Sequence, residues 1–535
     1  MEAFQQEIIQ ECLEHKYGGG LSLPMGSGKT FISLQLAQKY TEEGGQALIL
    51  ASKTLLASWE VEIKKFYGNT LNYSVFPSRN FDPEARIILS TPDQLAKYYK
   101  KFHLSIVYYD SIILSMIKYF SPITRPQLSQ HRASEEGAFF YTKSWKAFFI
   151  DEIQQYTNCD TQRCEALTAI HAPCRWGLSG TLFKEPTLNR VLGYYLILNY
   201  PQTPRSVPDT LLYVKSPRYK GIVDTIVHRS VNPVFKPPRI HKKIVQHPVF
   251  EAEYKIYQLL KRVMVSLHKK KRQAEDSDIA RKFGASLLSM VGYLRQCLIS
   301  PLIPIASVMV DVLDMTNHTE HIEEIHQECL NDPIVKAFLT QTQSAKSSRI
   351  HEMLGVLDQH QDQRILIFTS FRSCLDLAQS FVSGRPAFTL SGRDSTHKRA
   401  EIVEEFSKSP NGVFFLTYQL GAEGLNLQSA QVGVFLDFWW NMATSEQAWA
   451  RFIRYGQQSE DVHLYFFTSN TGIEKQVFTK QVDKAKVCQE LYNGSVDLNK
   501  PSGMKLADII EFISMEDNVE LIKGMYLEQN WKNYQ

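Results

Sequence analysis

Apolar and polar positions along the first 200 residues switch between two periods. Short continuous apolar runs, ALILAS (47–52), ARIILS (85–90), KAFFID (146–151) and RWGLSG (175–180), have the length of strands buried on both faces. Between them lie stretches with apolar residues three and four apart, such as TFISLQLAQKY and LASWEVEIKKF, which predict helices. Strands alternating with helices predict a parallel sheet covered on both sides. The middle, roughly 250–345, keeps the helical period (EYKIYQLLKRVMVSL, FGASLLSMVGYLRQCL) and lacks strand runs. Alternation then returns in RILIFTS (364–370), GVFFLTY (412–418), QVGVFLDF (431–438) and DVHLYFF (461–467). The expected fold class is therefore α/β. A first lobe covers 1–230 with a helical protrusion at about 185–230, and the Pro-punctuated stretch 231–248 reads as a linker. A helical insertion at 249–345, a second lobe at 346–490 and a helical tail at 491–535 follow.

A chain of 535 residues, 44% hydrophobic and 21% charged, has material for more than one core and is neither disordered nor fibrous in composition. No apolar run reaches a bilayer's thickness; SIVYYDSIILSMIKYF is broken by Asp110 and Lys118. The N-terminus is acidic and amphipathic, unlike a signal peptide, so a soluble intracellular protein with no membrane partner is expected. Eight cysteines without a C-x-x-C pair fit a reducing compartment. Cys159, Cys164, His171 and Cys174 fall close together, but not at the spacing of a zinc site. The net charge of +3 is too mild to name a partner. The run HKKKR at 268–272 suits a phosphate contact, a nuclear import signal or a solvated loop.

Chemistry enters at Pro24-Met25-Gly26-Ser27-Gly28-Lys29-Thr30, which follows an apolar run and opens a helix. Gly26, Ser27 and Gly28 let backbone N–H groups wrap phosphates at a helix N-terminus. Lys29 reaches the outer phosphate oxygens and the Thr30 hydroxyl can hold Mg²⁺. The stricter pattern has Gly at position 23, where this chain has Leu. An acidic partner on a neighbouring strand is supplied by KAFFIDE. Asp151 is suited to the Mg²⁺ shell, and Glu152 to orienting or deprotonating water. Ser179-Gly180-Thr181, past another strand end, is either a coupling segment or an ordinary turn. Farther on, Gln447, Arg451 and Arg454 fall at helical spacing. That spacing suits an arginine finger on a phosphate, and equally a surface helix with two solvated arginines.

Taken in order, LPMGSGKT, SKTLLASWEVEIKKF, STPDQL, FFIDEIQQYTN, WGLSGTLFKE, YLRQCLISPLI, ILIFTSF, TLSGRDSTHKR, LTYQLGAEGLNLQ and DFWWNMATSEQAWARFIRYGQ resemble the SWI/SNF-like DNA translocases of superfamily 2 helicases over roughly residues 1–490. The resemblance implies two tandem RecA-like lobes with helical insertions and an ATP hydrolase using Mg²⁺. It also implies double-stranded DNA as the nucleic-acid partner. By the same resemblance, Gln5 (or Gln6) matches the adenine-reading glutamine and Lys29 and Thr30 the phosphate and Mg²⁺ residues. Asp151 and Glu152 match the acidic motif, Gly424 the turn facing the nucleotide, and Gln447, Arg451 and Arg454 the finger helix. Lys53, Thr91, Ser370 and Thr417 fall in segments that line the family's nucleic-acid track. Three departures stand out: Gln154 where the family has His, Tyr418-Gln419 in a turn usually more polar, and Met442 for a usual Pro. Gln154 is expected to hydrogen-bond across to the coupling segment. A nucleus or a site of viral or microbial DNA metabolism is the expected location. A strand-separating helicase is the rival reading, with 110–143 as an unplaced insertion; a scaffold carrying a degenerate motor is the other.

Overall fold

The computed structural model describes residues 3–23, 27–99, 139–180, 182, 187–201, 203–215, 226–228, 238–273, 277–306, 327–329, 331–340, 346–422, 425–439, 442–453, 457, 459–469, 471–493 and 521–522. The 110–138 part of the unplaced insertion and most of the expected tail lie outside them. By contacts the chain divides into two compact units, Met1–Lys236 with Lys484–Ser502, and Pro237–Asp483 with Gly503–Gln535.

The first unit is built on a sheet of β1 (Gly18–Ser22), β2 (Ala47–Leu50), β3 (Tyr73–Val75), β4 (Ile87–Ser90), β5 (Ala147–Asp151), β6 (Cys174–Ser179) and β7 (Ile226–His228). All pairings are parallel, in the order β3-β4-β2-β5-β6-β1-β7. The apolar runs are buried on both faces because alternate residues feed two cores. Leu48, Ile88, Phe148 and Ile150 pack on one side, and Ile49, Leu89, Phe149 and Trp176 on the other. Each of these fully buried side chains contributes about 1.5–3 kcal/mol. Strand order reverses around β1, so the carboxyl ends of β1, β6 and β5 meet at the kind of edge where α/β sheets hold ligands. Ser22 is in register with Ser179, and Asp151 with Leu178.

Helix Leu188–Leu198 covers one face, closed at its C-terminus by Asn199 in the left-handed region. Its Gly193 sits so close to the Thr157 carbonyl that a Cβ would lie 1.8 Å from the oxygen. Gly193→Ala is accordingly expected to destabilise this unit by about 1–3 kcal/mol through forced separation of backbone elements. A lowered thermal midpoint with unchanged secondary structure checks it.

The second unit has β8 (Arg239–Gln246), β9 (Val249–Phe250), β10 (Ile365–Thr369), β11 (Ala387–Thr389), β12 (Val413–Thr417), β13 (Val432–Phe435), β14 (Asp461–Thr468) and β15 (Leu521–Ile522). Six of them form a parallel sheet, β11-β12-β10-β13-β14-β8, while β15 pairs with β9. Here too the strands split their side chains between Ile365, Ile367, Phe415 and Val434 on one face and Leu366, Phe368, Phe414 and Phe435 on the other. Two parallel sheets flanked by helices bear out the α/β class and the tandem RecA-like lobes.

Two readings need correction. Residues 239–246, read as linker, are an edge strand paired along its whole length with β14. Its side chains are almost all exposed, so RIHKKIVQ carries no apolar run to betray it. In the segment read as a helical tail, Leu521–Ile522 is a strand. The long helices Glu251–Gln273 and Ser277–Cys297 pack through Ile256, Leu260 and Met264 against Leu287, Met290 and Leu294, and belong to the second unit.

Candidate nucleotide site and its surroundings

In the first unit, the loop after β1 ends at Gly28, whose φ of +82° is the left-handed conformation glycine adopts without cost. Helix Lys29–Tyr40 starts at once, with its first N–H groups unpaired by the helix itself. A Cβ on Gly28 would lie 2.5 Å from Gln5 Nε2, so a side chain there would displace the Gln5 amide from the loop. Gln5 Nε2 donates to the Ser27 carbonyl at 3.5 Å, while Gln6 is exposed. Of the two candidate glutamines, Gln5 is the one against the loop. Lys29 Nζ donates to the Leu23 carbonyl at 2.9 Å, folding back over the same loop. Thr30 occupies the first helical turn, and Gly26 lies outside the described residues.

At the end of β5, Asp151 is 8% and Glu152 6% exposed. Asp151 Oδ2 accepts the Trp59 indole N–H at 2.9 Å, and Oδ1 accepts the Glu152 backbone N–H at 3.0 Å. Burial pushes the Asp151 carboxyl up, as does the Glu152 charge, while the Trp59 N–H and Lys29 pull it down. Glu152 has a φ of +51°, a strained conformation outside glycine, at the point where the chain leaves β5 for a 3₁₀ turn. Gln154 Nε2 donates to Glu152 Oε2 rather than reaching across to the coupling segment. Its Oε1 is buried and has no partner among the described residues. Ser179 is buried, and its carbonyl accepts the Leu23 N–H at 3.3 Å, tying β6 to the start of the phosphate loop. Thr181 lies outside the described residues.

Elsewhere in this unit, Lys53 is exposed at the start of helix Lys53–Tyr67, whose N-cap is Ser52. Thr91 is nearly buried, and its Oγ1 accepts the Gln94 N–H at 3.2 Å.

In the second unit, Gln447 and Arg451 are buried at 5% and 8% exposure. Helix Met442–Trp449 ends before Arg451, which lies in a following turn; its carbonyl accepts the Leu427 N–H at 3.3 Å. The helix expected to carry Arg451 thus ends before reaching it. Phe452 is buried where a Cβ on Gly433 would lie 2.7 Å from its ring, and Gln457 donates to the Phe452 and Ala430 carbonyls at 2.8 Å. These contacts turn the chain inward. Gly424 and Arg454 lie outside the described residues. Thr417 Oγ1 accepts the Leu420 N–H at 3.4 Å, opening a short helix.

Ser370 belongs to a centre the sequence left without a role. Arg295, in YLRQCL, is 7% exposed, and its Nη2 donates to Asp437 Oδ2 at 2.8 Å, Ser370 Oγ at 3.0 Å and the Phe438 carbonyl at 2.6 Å. Its guanidinium stands 5.0 Å over Phe371, and the Ser370 N–H donates to Asp437 Oδ1 at 2.9 Å. A second buried centre joins Arg349, fully buried, to Glu474 at 2.7 Å, His247 at 3.0 Å and the Leu436 carbonyl at 2.7 Å. Burial and the neighbouring Arg349 push the His247 imidazole down to about 3, so it is neutral and accepts from Arg349 at Nε2.

Among the described residues no helix is long and apolar enough to cross a membrane.

Known proteins match along the same division. Residues 1–184 match the family described as "Type III restriction enzyme, res subunit", and residues 345–456 match "Helicase conserved C-terminal domain". The chain is 22% identical over 511 residues to protein 172L of Invertebrate iridescent virus 6, whose name calls it a helicase, covering 86% of this chain and 82% of that one. It is 24% identical over 495 residues to the ISWI chromatin-remodeling complex ATPase ISW2 of Saccharomyces cerevisiae, covering 89% of this chain but 39% of that one. The Hef helicase domain of Pyrococcus furiosus shares the fold, with a TM-score of 0.51 at 15% identity, over 90% of this chain and 98% of the other. A phosphate loop, an acidic strand end beside it, and a second parallel-sheet lobe carrying the helicase C-terminal pattern lead to one assignment. The chain belongs to the superfamily 2 helicases, in their SWI/SNF-like branch, and is an ATP hydrolase.

Proposed function

We propose that this chain is a Mg·ATP-driven translocase on double-stranded DNA, hydrolysing ATP where its two lobes close on the nucleotide. The observation that carries the reading is the pair Asp151–Glu152, buried at the end of β5 and two strands from the phosphate loop. The residues present suit the nucleotide and its metal. Gly28 leaves a cradle that a Cβ would fill, Thr30 opens the helix behind it, and each oxygen of Asp151 already takes one N–H while keeping a further lone pair. Thr30 and Asp151 would hold Mg²⁺, which supplies neutralising charge to the phosphates.

Lys29 exchanges the Leu23 carbonyl for a phosphate oxygen, and Gln5 reads the adenine edge. Glu152 takes the proton from the attacking water. Its left-handed backbone and the Gln154 N–H fix the direction of the carboxylate, so no reorganisation is required when the water arrives. Gly424 and Gln447 complete the nucleotide surface from the second lobe. Arg451 and Arg454 meet the transferring phosphoryl group when the lobes close. An arginine supplied this way is worth on the order of 10³–10⁵ in rate. Lys53 and Thr91 on one lobe, and Ser370 and Thr417 on the other, face the DNA backbone. Alternate closing and opening moves the lobes along it.

Steady-state hydrolysis with no nucleic acid, duplex DNA, single-stranded DNA or RNA tests the reading, with Lys29→Ala as control. The expected result is stimulation of at least about tenfold by duplex DNA, absent in Lys29→Ala. Preference for single strands or RNA would establish the strand-separating helicase instead. Binding without hydrolysis would leave a scaffold.

A further inference from the structure

Helix Lys53–Tyr67 belongs to neither phosphate-site motif, yet it touches both. At its middle, Trp59 is 1% exposed and donates its indole N–H to Asp151 Oδ2 at 2.9 Å. At its C-terminal end, the Phe66 and Tyr67 rings lie 5.0 and 6.3 Å from the ring of Phe31, the residue directly after Thr30. The Tyr67 hydroxyl also accepts the Gln35 side-chain N–H from the same phosphate-loop helix. At its N-terminal end, after the Ser52 cap, Lys53 is exposed. One stiff rod of 15 residues, about 22 Å long, thus joins an exposed cation to the acidic strand end and to the phosphate-loop helix.

The acceptor of this buried indole N–H is a carboxylate. With the Glu152 backbone N–H on the other oxygen, two donors from two different elements fix the carboxylate plane. Neither donor alone prevents rotation about the carboxyl carbon. Trp59 is also the only one of the two that is a side chain, so it can be removed without altering the strand.

We propose that Trp59 is a positioning residue for Asp151, and that helix Lys53–Tyr67 is the strut through which DNA held at Lys53 acts on the phosphate site. The strut rests on the duplex-translocase reading; the positioning role rests on the phosphate site alone. Phe fills most of the indole volume and lacks the N–H.

The test uses the full chain and three variants. These are Trp59→Phe, Phe66→Ala at a half-exposed ring, and benzothienylalanine at position 59, which keeps the indole shape without the donor. ATP hydrolysis is titrated with Mg²⁺ and with duplex DNA, and binding of a fluorescent ADP analogue is titrated with Mg²⁺ alone. Both changes at Trp59 are expected to raise the Mg²⁺ half-saturation at least about fivefold in both titrations, with KM for ATP within about twofold. Maximal duplex stimulation falls about tenfold, while the DNA concentration for half-stimulation stays put because Lys53 is untouched. Phe66→Ala is expected to lower maximal stimulation about threefold with no change in Mg²⁺ dependence. Parental Mg²⁺ dependence in the position-59 variants overturns the positioning role. Parental stimulation in all three overturns the strut. A parent chain that no nucleic acid stimulates overturns the functional reading and the strut together, and the Mg²⁺ titrations then decide the role of Trp59 by themselves.

Discussion

Glu152→Gln is expected to fold, bind nucleotide and turn it over at less than about one hundredth of the parental rate. A general base supplies about 10²–10⁴ in rate, and Gln keeps the shape while losing the basic oxygen. Position 152 is well suited to the test, because its backbone is fixed by the left-handed turn and its side chain by Gln154, so the substitution changes chemistry rather than placement. Lys29→Ala and Arg454→Ala are expected to fall as far by a different route, losing charge at the phosphates. Single-turnover hydrolysis beside binding of a fluorescent nucleotide separates the two. Near-parental turnover in Glu152→Gln would remove Glu152 from the reaction.

Arg349→Ala carries the largest expected effect on stability, about 3–5 kcal/mol, because it strands a buried carboxylate. Glu474 accepts from Arg349, from the Ser469 N–H at 2.7 Å and from the Ser469 hydroxyl at 2.9 Å, and its own exposure is 6%. Burial pushes its carboxyl up, and the Arg349 charge and hydrogen bonds more than reverse that, leaving it below the ordinary value of 4.5. A depressed carboxyl contributes stability that is full above its ordinary value and is lost as pH falls through the lower folded value. The Arg349→Ala deficit should therefore be complete at neutral pH and shrink as pH falls through the ordinary carboxyl range. Denaturant midpoints at pH 7 and pH 4 check both the size and the trend. A deficit under 1 kcal/mol at neutral pH would mean that water replaces the guanidinium.

What the sequence makes legible follows from how local each feature is. The loop before helix Lys29–Tyr40 and the strand end at Asp151–Glu152 are readable as elements because consecutive residues make each and an apolar strand announces it. The two sheets are readable for the same reason, since strands buried on both faces are continuous apolar runs. The role of Trp59 is not legible in the sequence because its partner is 92 residues away, nor that of Arg295 because Asp437 is 142 away. Nothing in either local pattern distinguishes a buried donor from a solvated one. The turn at Arg451 escaped the spacing argument because the helix is ended by tertiary packing of Phe452, which no helix-stop residue signals. Strand β8 escaped because an edge strand with both faces wet has no period-2 apolar pattern to read.

That edge strand also sets a schedule for synthesis. β8 opens the second unit in the chain, yet among the described residues its one sheet neighbour is β14, and Arg239 meets Asp461 across 222 residues. At about 5–20 residues per second, the ribosome leaves β8 without its neighbour for roughly 11–44 s. Closing so long a loop is slow, and an unpaired strand invites pairing with other nascent chains. Lys242 and Lys243, both exposed in mid-strand, discourage such pairing during that interval. The second lobe is thus a sheet that completes itself last at the place where it began.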